Sequence, residues 1–103
     1  MTREEKIEYI AQHYGTGKQT QQCVEEMAEF IQAACKVSRS KTDEELGKRG
    51  LNLLEELADV EIMVQQLKLL YLTSDKLKEV YDATMDEKLD RQLQRIKEEK
   101  GTC

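Results

Sequence analysis

The sequence contains no proline and no tryptophan, and it has only one histidine, one phenylalanine and five glycines among 103 residues. Proline interrupts helices, so its absence favours helical structure. Leu, Glu, Lys, Gln and Ala are abundant, and all five are good helix formers. A chain of this length suffices for one domain, which we assign to residues 1–103. The composition therefore predicts a single all-helical domain.

The sequence also lacks a zinc-type set of ligands and a long apolar run, and each absence excludes a class of protein. His13 is the single histidine, and three cysteines (Cys23, Cys35 and Cys103) form no CxxC pair, so reduced cytoplasmic thiols are expected instead of a zinc site. No apolar run approaches the roughly 20 residues of a membrane span. The N-terminal segment is charged where a signal peptide would need an apolar core. We therefore expect a soluble, cytoplasmic protein without a membrane partner.

The chain also has fewer basic than acidic residues, 16 against 21. The net charge is −5 and the isoelectric point is about 5.0. An acidic chain disfavours non-specific binding to phosphate backbones. Basic residues do gather near the C-terminus, but acidic residues dilute them. The sequence therefore predicts no nucleic-acid partner.

The apolar periodicity predicts four helices. A capping box formed by Thr2 and Glu5 marks the first start, and Gly15 marks the first end. The polar segment over residues 38–50 predicts a loop, with at most a short helical turn at 43–46. Short connections between four helices favour a four-helix bundle. The predicted helices cover residues 3–14, 18–37, 51–71, and from a cap at 73–75 to about 100.

The apolar stripe of each helix is expected to face the core. The third helix is apolar over most of its circumference, which predicts that it lies at the centre. The predicted stripe of the second helix comprises Val24, Met27, Ala28, Ile31, Ala34 and Cys35. That of the fourth comprises Leu77, Val80, Tyr81, Met85, Leu89, Leu93 and Ile96.

Acidic pairs interrupt the second and third helices. Glu26 with Glu29, and Glu56 with Asp59, are spaced i and i+3, so the two side chains of each pair reach the same region. Each pair lies at the margin of an apolar surface, away from the expected solvent face. Carboxylates buried there would be desolvated and would repel one another. A divalent cation removes both penalties, and ligands that are all carboxylates select Mg²⁺ or Mn²⁺.

These segments resemble a known family. EEMAE over residues 25–29, about thirty residues before EELAD over residues 55–59, resembles the EExxE…ExxD signature of MazG-like nucleoside triphosphate pyrophosphohydrolases. The superfamily includes the dimeric dUTPases and the dCTP pyrophosphatases. The similarity is to the small phage and prophage type and covers residues 14–96. It implies the all-α NTP pyrophosphatase fold, assembled as a dimer or as a dimer of dimers.

The resemblance also implies a reaction. Water would attack the α-phosphorus of a nucleoside triphosphate, releasing the monophosphate and pyrophosphate, possibly to clean the nucleotide pool. Lys88 and Arg91, one turn apart, match the family's Lys-x-x-Arg segment and could clamp pyrophosphate, or could form an ordinary solvated face. The implied ligands of Mg²⁺ are Glu26, Glu29, Glu56 and Asp59.

The sequence leaves three points open. Glu25 and Glu29 are both candidates for the general base. Gln19 and Gln22 could reach the base or the ribose of a nucleotide, or could be ordinary surface residues. The high density of charge also allows a non-catalytic helical module that dimerises or acts as an adaptor. In that alternative the acidic residues form salt bridges with Lys or Arg across helices.

Overall fold

The computed structural model describes residues 1–101, and these form three helices. They are α1 (Arg3–Ser38), α2 (Asp43–Tyr71) and α3 (Asp75–Gly101). The all-helical prediction is confirmed. The chain divides into two compact units, one of residues 1–71 and one that starts at residue 72. Cys103, predicted to be a reduced thiol, lies outside the described residues.

Helix α1 joins the first two predicted helices across a kink. Its capping box is complete: the Glu5 amide donates to Thr2 Oγ1 over 3.0 Å, and the Thr2 amide donates to Glu5 Oε1 over 2.9 Å. Gly15 alone is non-helical, with φ 82° and ψ 175°. Gly17 continues the helix, so the predicted break is a kink of one residue. For this reason the described residues contain three helices where the sequence predicted four.

The loop predicted over residues 38–50 is wrong for most of its length. Helix α2 begins at Asp43, and only residues 39–42 connect it to α1. Thr42 provides the N-cap, because its Oγ1 accepts a hydrogen bond of 3.1 Å from the Glu45 amide. Two glycines and many charged residues suggested a loop, but the cap outweighs the low helix propensity of glycine, and Glu, Lys and Arg are themselves good helix formers.

Helices α1 and α2 pack together as an antiparallel hairpin. One row of buried and half-buried residues on each helix is spaced alternately by four and three positions, which is the spacing of two helices that pack along their lengths, and buried Gln66 lies beside the row on α2. On α1 these positions are Gln19, Cys23, Glu26, Phe30, Ala33 and Val37. On α2 they are Arg49, Leu53, Glu56, Val60, Met63, Leu67 and Leu70.

The predicted buried face of the second helix is therefore wrong. Val24, Met27 and Ile31 are 57%, 42% and 60% exposed. The prediction chose the most apolar stripe, whereas the seam follows the four-and-three spacing and includes polar residues. The predicted central position of the third helix is also wrong within this hairpin, since Leu51 and Leu54 of α2 are exposed.

Helix α3 begins and ends close to the predicted positions. Ser74 caps it by accepting a 3.2 Å hydrogen bond at Oγ from the Leu77 amide. No residue of α3 is buried within the described chain, so its apolar stripe is an exposed surface of that helix. None of the helices in residues 1–101 combines the length and the apolar character that crossing a bilayer requires.

Candidate metal centre

Three glutamates from two helices converge at the seam of the hairpin. Glu26 on α1 and Glu56 on α2 occupy seam positions and are half-buried, and Glu29 lies one turn beyond Glu26 and is exposed. Each residue offers a carboxylate oxygen, and these three oxygens lie within 4.8 Å of one another. The i and i+3 spacing on α1 therefore places two acidic groups opposite one from α2. We call Glu26, Glu29 and Glu56 the glutamate cluster.

Two oxygens of the glutamate cluster are shielded from solvent and lack a hydrogen-bond partner among the described residues. These atoms are Glu26 Oε2 and Glu56 Oε2. The other oxygen of Glu26, Oε1, accepts a 2.9 Å hydrogen bond from Gln22 Nε2. A shielded carboxylate oxygen without a partner is energetically unfavourable, and a donor or a cation placed between the two oxygens would remove that penalty.

The pKa of the third glutamate, Glu29, is shifted by the charges of the other two. The negative charge of Glu26, and after it that of Glu56, raises the pKa of Glu29 above its ordinary value. Desolvation, and the hydrogen bond that a protonated Glu29 carboxyl can donate to Glu26 or to Glu56, act in the same direction. In the absence of a cation, taking up a proton at Glu29 therefore relieves the repulsion.

Asp59, the fourth predicted ligand, lies near the glutamate cluster without belonging to it. The residue as a whole is exposed, yet partial desolvation of its carboxyl group is the largest cause that raises its pKa. The charges of Glu26 and Glu55 raise the pKa further. Asp59 is therefore within electrostatic range of Glu26, but its carboxylate is not among the oxygens that lie within 4.8 Å of one another.

The remaining predicted residues of the hairpin have different surroundings. Glu25 is exposed on α1. Gln22 is exposed and donates the hydrogen bond to Glu26 Oε1 described above. Gln19 is buried, and its Nε2 donates a 2.6 Å hydrogen bond to Oε1 of buried Gln66. Sequence reasoning missed Gln66, because the glutamine pair at residues 65 and 66 carries no signal of which member is buried or of its partner.

An open depression lies along α1 just after the kink. Its volume is about 420 Å³, and Tyr14 at its edge is 51% exposed. Two of its residues are the predicted substrate-binding glutamines, and one of these, Gln22, also bonds to Glu26. The glycines at 15 and 17 were a signal for an irregularity there, but not for a depression. The lining residues are Tyr14, Lys18, Gln19, Gln21 and Gln22.

Lys88 and Arg91, the predicted phosphate-binding pair, lie on α3 in the second compact unit. Both are exposed. Arg91 Nη2 makes an ion pair of 3.4 Å with Glu87 Oε1, one turn earlier on the same helix. An exposed pair of this kind contributes little to stability, so the guanidinium can exchange Glu87 for another anion at small cost.

The glutamate cluster fits a small, hard cation by its donor chemistry. All its ligand atoms are carboxylate oxygens, which is the set that Mg²⁺ and Mn²⁺ prefer. Two oxygens on one Mg²⁺ stand at most about 4.2 Å apart, since each bond is about 2.1 Å long. The three oxygens lie within 4.8 Å of one another, so side-chain rotation must bring them closer before they can share one ion.

Comparison of the chain with known proteins gives no further assignment. No family model, no curated protein and no solved structure matches it.

Proposed function

We propose that this protein hydrolyses a nucleoside triphosphate (an NTP or a dNTP) to the monophosphate and pyrophosphate in a reaction that depends on Mg²⁺. The observation that carries the proposal is the glutamate cluster, with its two shielded and unpartnered oxygens. The resemblance of residues 25–29 and 55–59 to MazG-like pyrophosphohydrolases supports the same reaction. We propose membership of that family and the corresponding bundle, assembled in the cytoplasm as a dimer or a dimer of dimers.

In this proposal Glu26, Glu29, Glu56 and Asp59 hold Mg²⁺, with Mn²⁺ as a substitute. A bound divalent ion supplies positive charge to the triphosphate and lowers the pKa of coordinated water. The packing and hydrogen bonds of the chain fix where the carboxylates that hold the ion lie. Glu26 and Glu56 are fixed by the packing of the seam, and Gln22 orients the Glu26 carboxylate through its hydrogen bond.

The same proposal gives roles to the other predicted residues. Glu25 or Glu29 accepts the proton of the attacking water. Exposed Gln22 contacts the base or the ribose from the depression on α1, and the proposal extends this role to Gln19 only if its bond to Gln66 opens. Lys88 and Arg91 bind the phosphates that leave as pyrophosphate.

The adaptor alternative makes an opposite prediction about the acidic residues. It requires Lys or Arg partners for them across helices. Within residues 1–101, the charged groups that shift the pKa of Glu29 are both carboxylates, and those that shift Asp59 are also carboxylates. The ion pair at Arg49 is with Glu45 on its own helix, at 3.8 Å. These observations favour the hydrolase.

A pyrophosphate-release assay over a panel of NTPs and dNTPs tests the reaction. We expect release with Mg²⁺ or Mn²⁺ and none with chelator. Glu56→Gln should lower kcat/KM by at least about 100-fold, since a ligand to the ion contributes several kcal/mol and about 1.4 kcal/mol corresponds to tenfold. Glu61→Gln, an exposed change of the same kind on α2, is the matched control. Absence of release with every nucleotide and both metals would overturn the hydrolase proposal.

Cation binding is tested separately by thermal unfolding without nucleotide. A cation that binds the folded state at ten times its Kd adds about 1.4 kcal/mol, which raises the Tm of a domain of this size by several degrees. We expect this rise with the native chain and with Glu61→Gln, and not with Glu56→Gln. An equal rise in all three would mean that the ion binds elsewhere.

A further inference from the structure

Thr20 on α1 takes part in two hydrogen bonds at the end of the hairpin that lies away from residues 39–42. Its Oγ1 lies 2.7 Å from the Thr16 carbonyl oxygen and 2.7 Å from the hydroxyl of Tyr71, the last residue of α2. A hydroxyl group carries a single proton, and the Thr20 proton goes to the carbonyl oxygen, which can only accept. Tyr71 therefore donates to Thr20, and Thr20 donates to Thr16.

A second hydrogen bond between the two helices involves the neighbouring residue of α1. Gln19 Nε2 donates to Gln66 Oε1 over 2.6 Å. Successive residues of a helix point about 100° apart, so Gln19 and Thr20 are bonded to α2 in two different directions. One such bond fixes the position of α1 along α2. Two bonds in different directions also fix the rotation of α1 about its own axis.

The rotation of α1 must be fixed by α2, because the kink interrupts α1 only a few residues earlier. Gly15 has non-helical dihedral angles, so no continuous helix transmits the orientation of residues 3–14 to residues 16–38. Near the other end of α1, Arg49 Nη1 on α2 donates a 2.9 Å hydrogen bond to the Lys36 carbonyl oxygen. Residues 16–38 are therefore hydrogen-bonded to α2 near both of their ends.

The rotation of α1 also sets the geometry of the glutamate cluster. Glu26 and Glu29 lie on α1 between these two bonded ends, whereas Glu56 lies on α2. A helix with its side chains is about 10–12 Å wide, so a rotation of about 20° moves atoms at its surface by about 2 Å. Two oxygens that share one Mg²⁺ lie at most about 4.2 Å apart. A displacement of this size therefore decides whether oxygens from both helices can bind one ion.

We propose that Tyr71 is a positioning residue for the glutamate cluster. Its hydroxyl, through Thr20, holds α1 in the rotation that lets carboxylates of both helices bind one divalent cation. The inference rests on the cation site of the proposed function, and it does not depend on which nucleotide is hydrolysed. The Tyr71 side chain is 50% exposed, so Tyr71→Phe removes the hydrogen bond while the ring stays in place.

Titration of the metal-free full chain with Mn²⁺, followed by the paramagnetic resonance signal of the free ion, tests this role. We expect Tyr71→Phe to raise the Mn²⁺ Kd about three- to tenfold, because losing one hydrogen bond lowers the population of the competent arrangement. Tyr9→Phe removes the hydroxyl of another exposed tyrosine and should leave the Kd within about twofold. A loss of stability alone does not change the Kd of the folded chain, and circular dichroism checks that each variant is folded.

Substitutions of Thr20 test whether Tyr71 acts through this hydroxyl. Thr20→Val keeps the shape of the side chain without the acceptor, so it should raise the Kd as much as Tyr71→Phe does. Thr20→Ser keeps the acceptor and should bind Mn²⁺ as the native chain does. The double variant Tyr71→Phe/Thr20→Val should bind no more weakly than either single variant, since both changes remove the same bond. Effects that multiply in the double variant would overturn the proposal.

The outcomes separate the role of Tyr71 from the proposed reaction. Equal Kd values for the native chain and Tyr71→Phe would overturn the role of Tyr71 alone. A native chain that binds no Mn²⁺ would overturn the cation site and this role together. If Mn²⁺ binding weakens in Tyr71→Phe but the native chain hydrolyses no nucleotide, the reaction is wrong and the positioning role stands.

Discussion

Gln19 on α1 and Gln66 on α2 share a 2.6 Å hydrogen bond inside the hairpin, where they are 5% and 1% exposed. Four residues after Gln19 comes buried Cys23, and the glutamate cluster begins at Glu26. The two amides therefore fix which residues of α1 and α2 face each other close to the acidic centre. A polar contact in the seam can set register in this way because a shift along the helix leaves both groups unpaired.

Replacing one member of this pair should destabilise the hairpin. In Gln66→Ala the Gln19 amide loses its partner, so we expect the free energy of unfolding to fall by about 1–3 kcal/mol, with more lost if a cavity remains. Urea denaturation followed by circular dichroism measures the change. The exposed Gln32→Ala on α1 should stay within about 0.5 kcal/mol of the native chain.

The double variant Gln19→Leu/Gln66→Leu distinguishes pairing from packing. Replacing both amides by apolar groups of similar size should recover most of the stability lost in Gln66→Ala. The loss of register should then appear as weaker cation binding at the glutamate cluster. If the double variant is no more stable than Gln66→Ala, the hydrogen bond is not the reason for the first loss.

The pKa of Glu29 predicts an unusual dependence of stability on pH in the metal-free protein. Its pKa is raised above the ordinary value of 4.5, chiefly by the charge of Glu26. The folded state then binds more protons than the unfolded state, so the free energy of unfolding falls as the pH rises from about 4.5 through the raised pKa. This is opposite to the usual carboxylate, which stabilises the folded state at the higher pH.

Thermal unfolding between pH 4.5 and 7 in the presence of chelator checks this sign. Glu29→Gln cannot titrate, so it should be more stable than the native chain at pH 7, and the difference should shrink as the pH falls. Glu8→Gln, an exposed change on α1, controls for the loss of one negative charge. A Glu29→Gln variant that gains nothing at pH 7 would show that the carboxylates do not repel each other.

The i and i+3 spacing sufficed to predict that the two acidic side chains of a pair reach the same region, because this spacing fixes side-chain direction on any helix. Glu26, Glu29 and Glu56 do lie together. The helix starts at Thr2 and Ser74 were also predictable, since a cap depends only on neighbouring residues.

The seam could not be inferred in the same way. Burial was predicted from apolarity, yet the seam includes Gln19 and Glu26, while Val24 and Ile31 are exposed. Which face of an amphipathic helix is buried depends on its partner, and one sequence does not identify that partner. The start of α2 was missed for a different reason, because glycine and charge were given more weight than the cap at Thr42.

The two described cysteines should differ strongly in reactivity. Cys23 is 2% exposed, and burial followed by the charge of Glu26 raises the pKa of its thiol. Cys35 is exposed. In a Cys103→Ser background, a disulfide reagent at pH 8 should modify Cys35 at least about tenfold faster than Cys23, because only the thiolate attacks and Cys23 must first become accessible. Single Cys→Ser changes at 23 and 35 assign the two phases. Equal rates would mean that the hairpin opens as fast as the reagent reacts.

Two glycines should respond in opposite directions to the same substitution. Gly15 has φ 82° and ψ 175°, a region that only glycine occupies easily, so Gly15→Ala should lower the free energy of unfolding by about 1–3 kcal/mol. Gly47 lies within α2, and a Cβ there would meet no atom within 4 Å. Gly47→Ala should therefore raise stability by about 0.5–1 kcal/mol, since alanine loses less entropy in a helix. Urea denaturation of both variants measures the two changes. If Gly15→Ala also stabilises the protein, the kink is not required by the packing of α1 on α2, and α1 can run straight through residue 15.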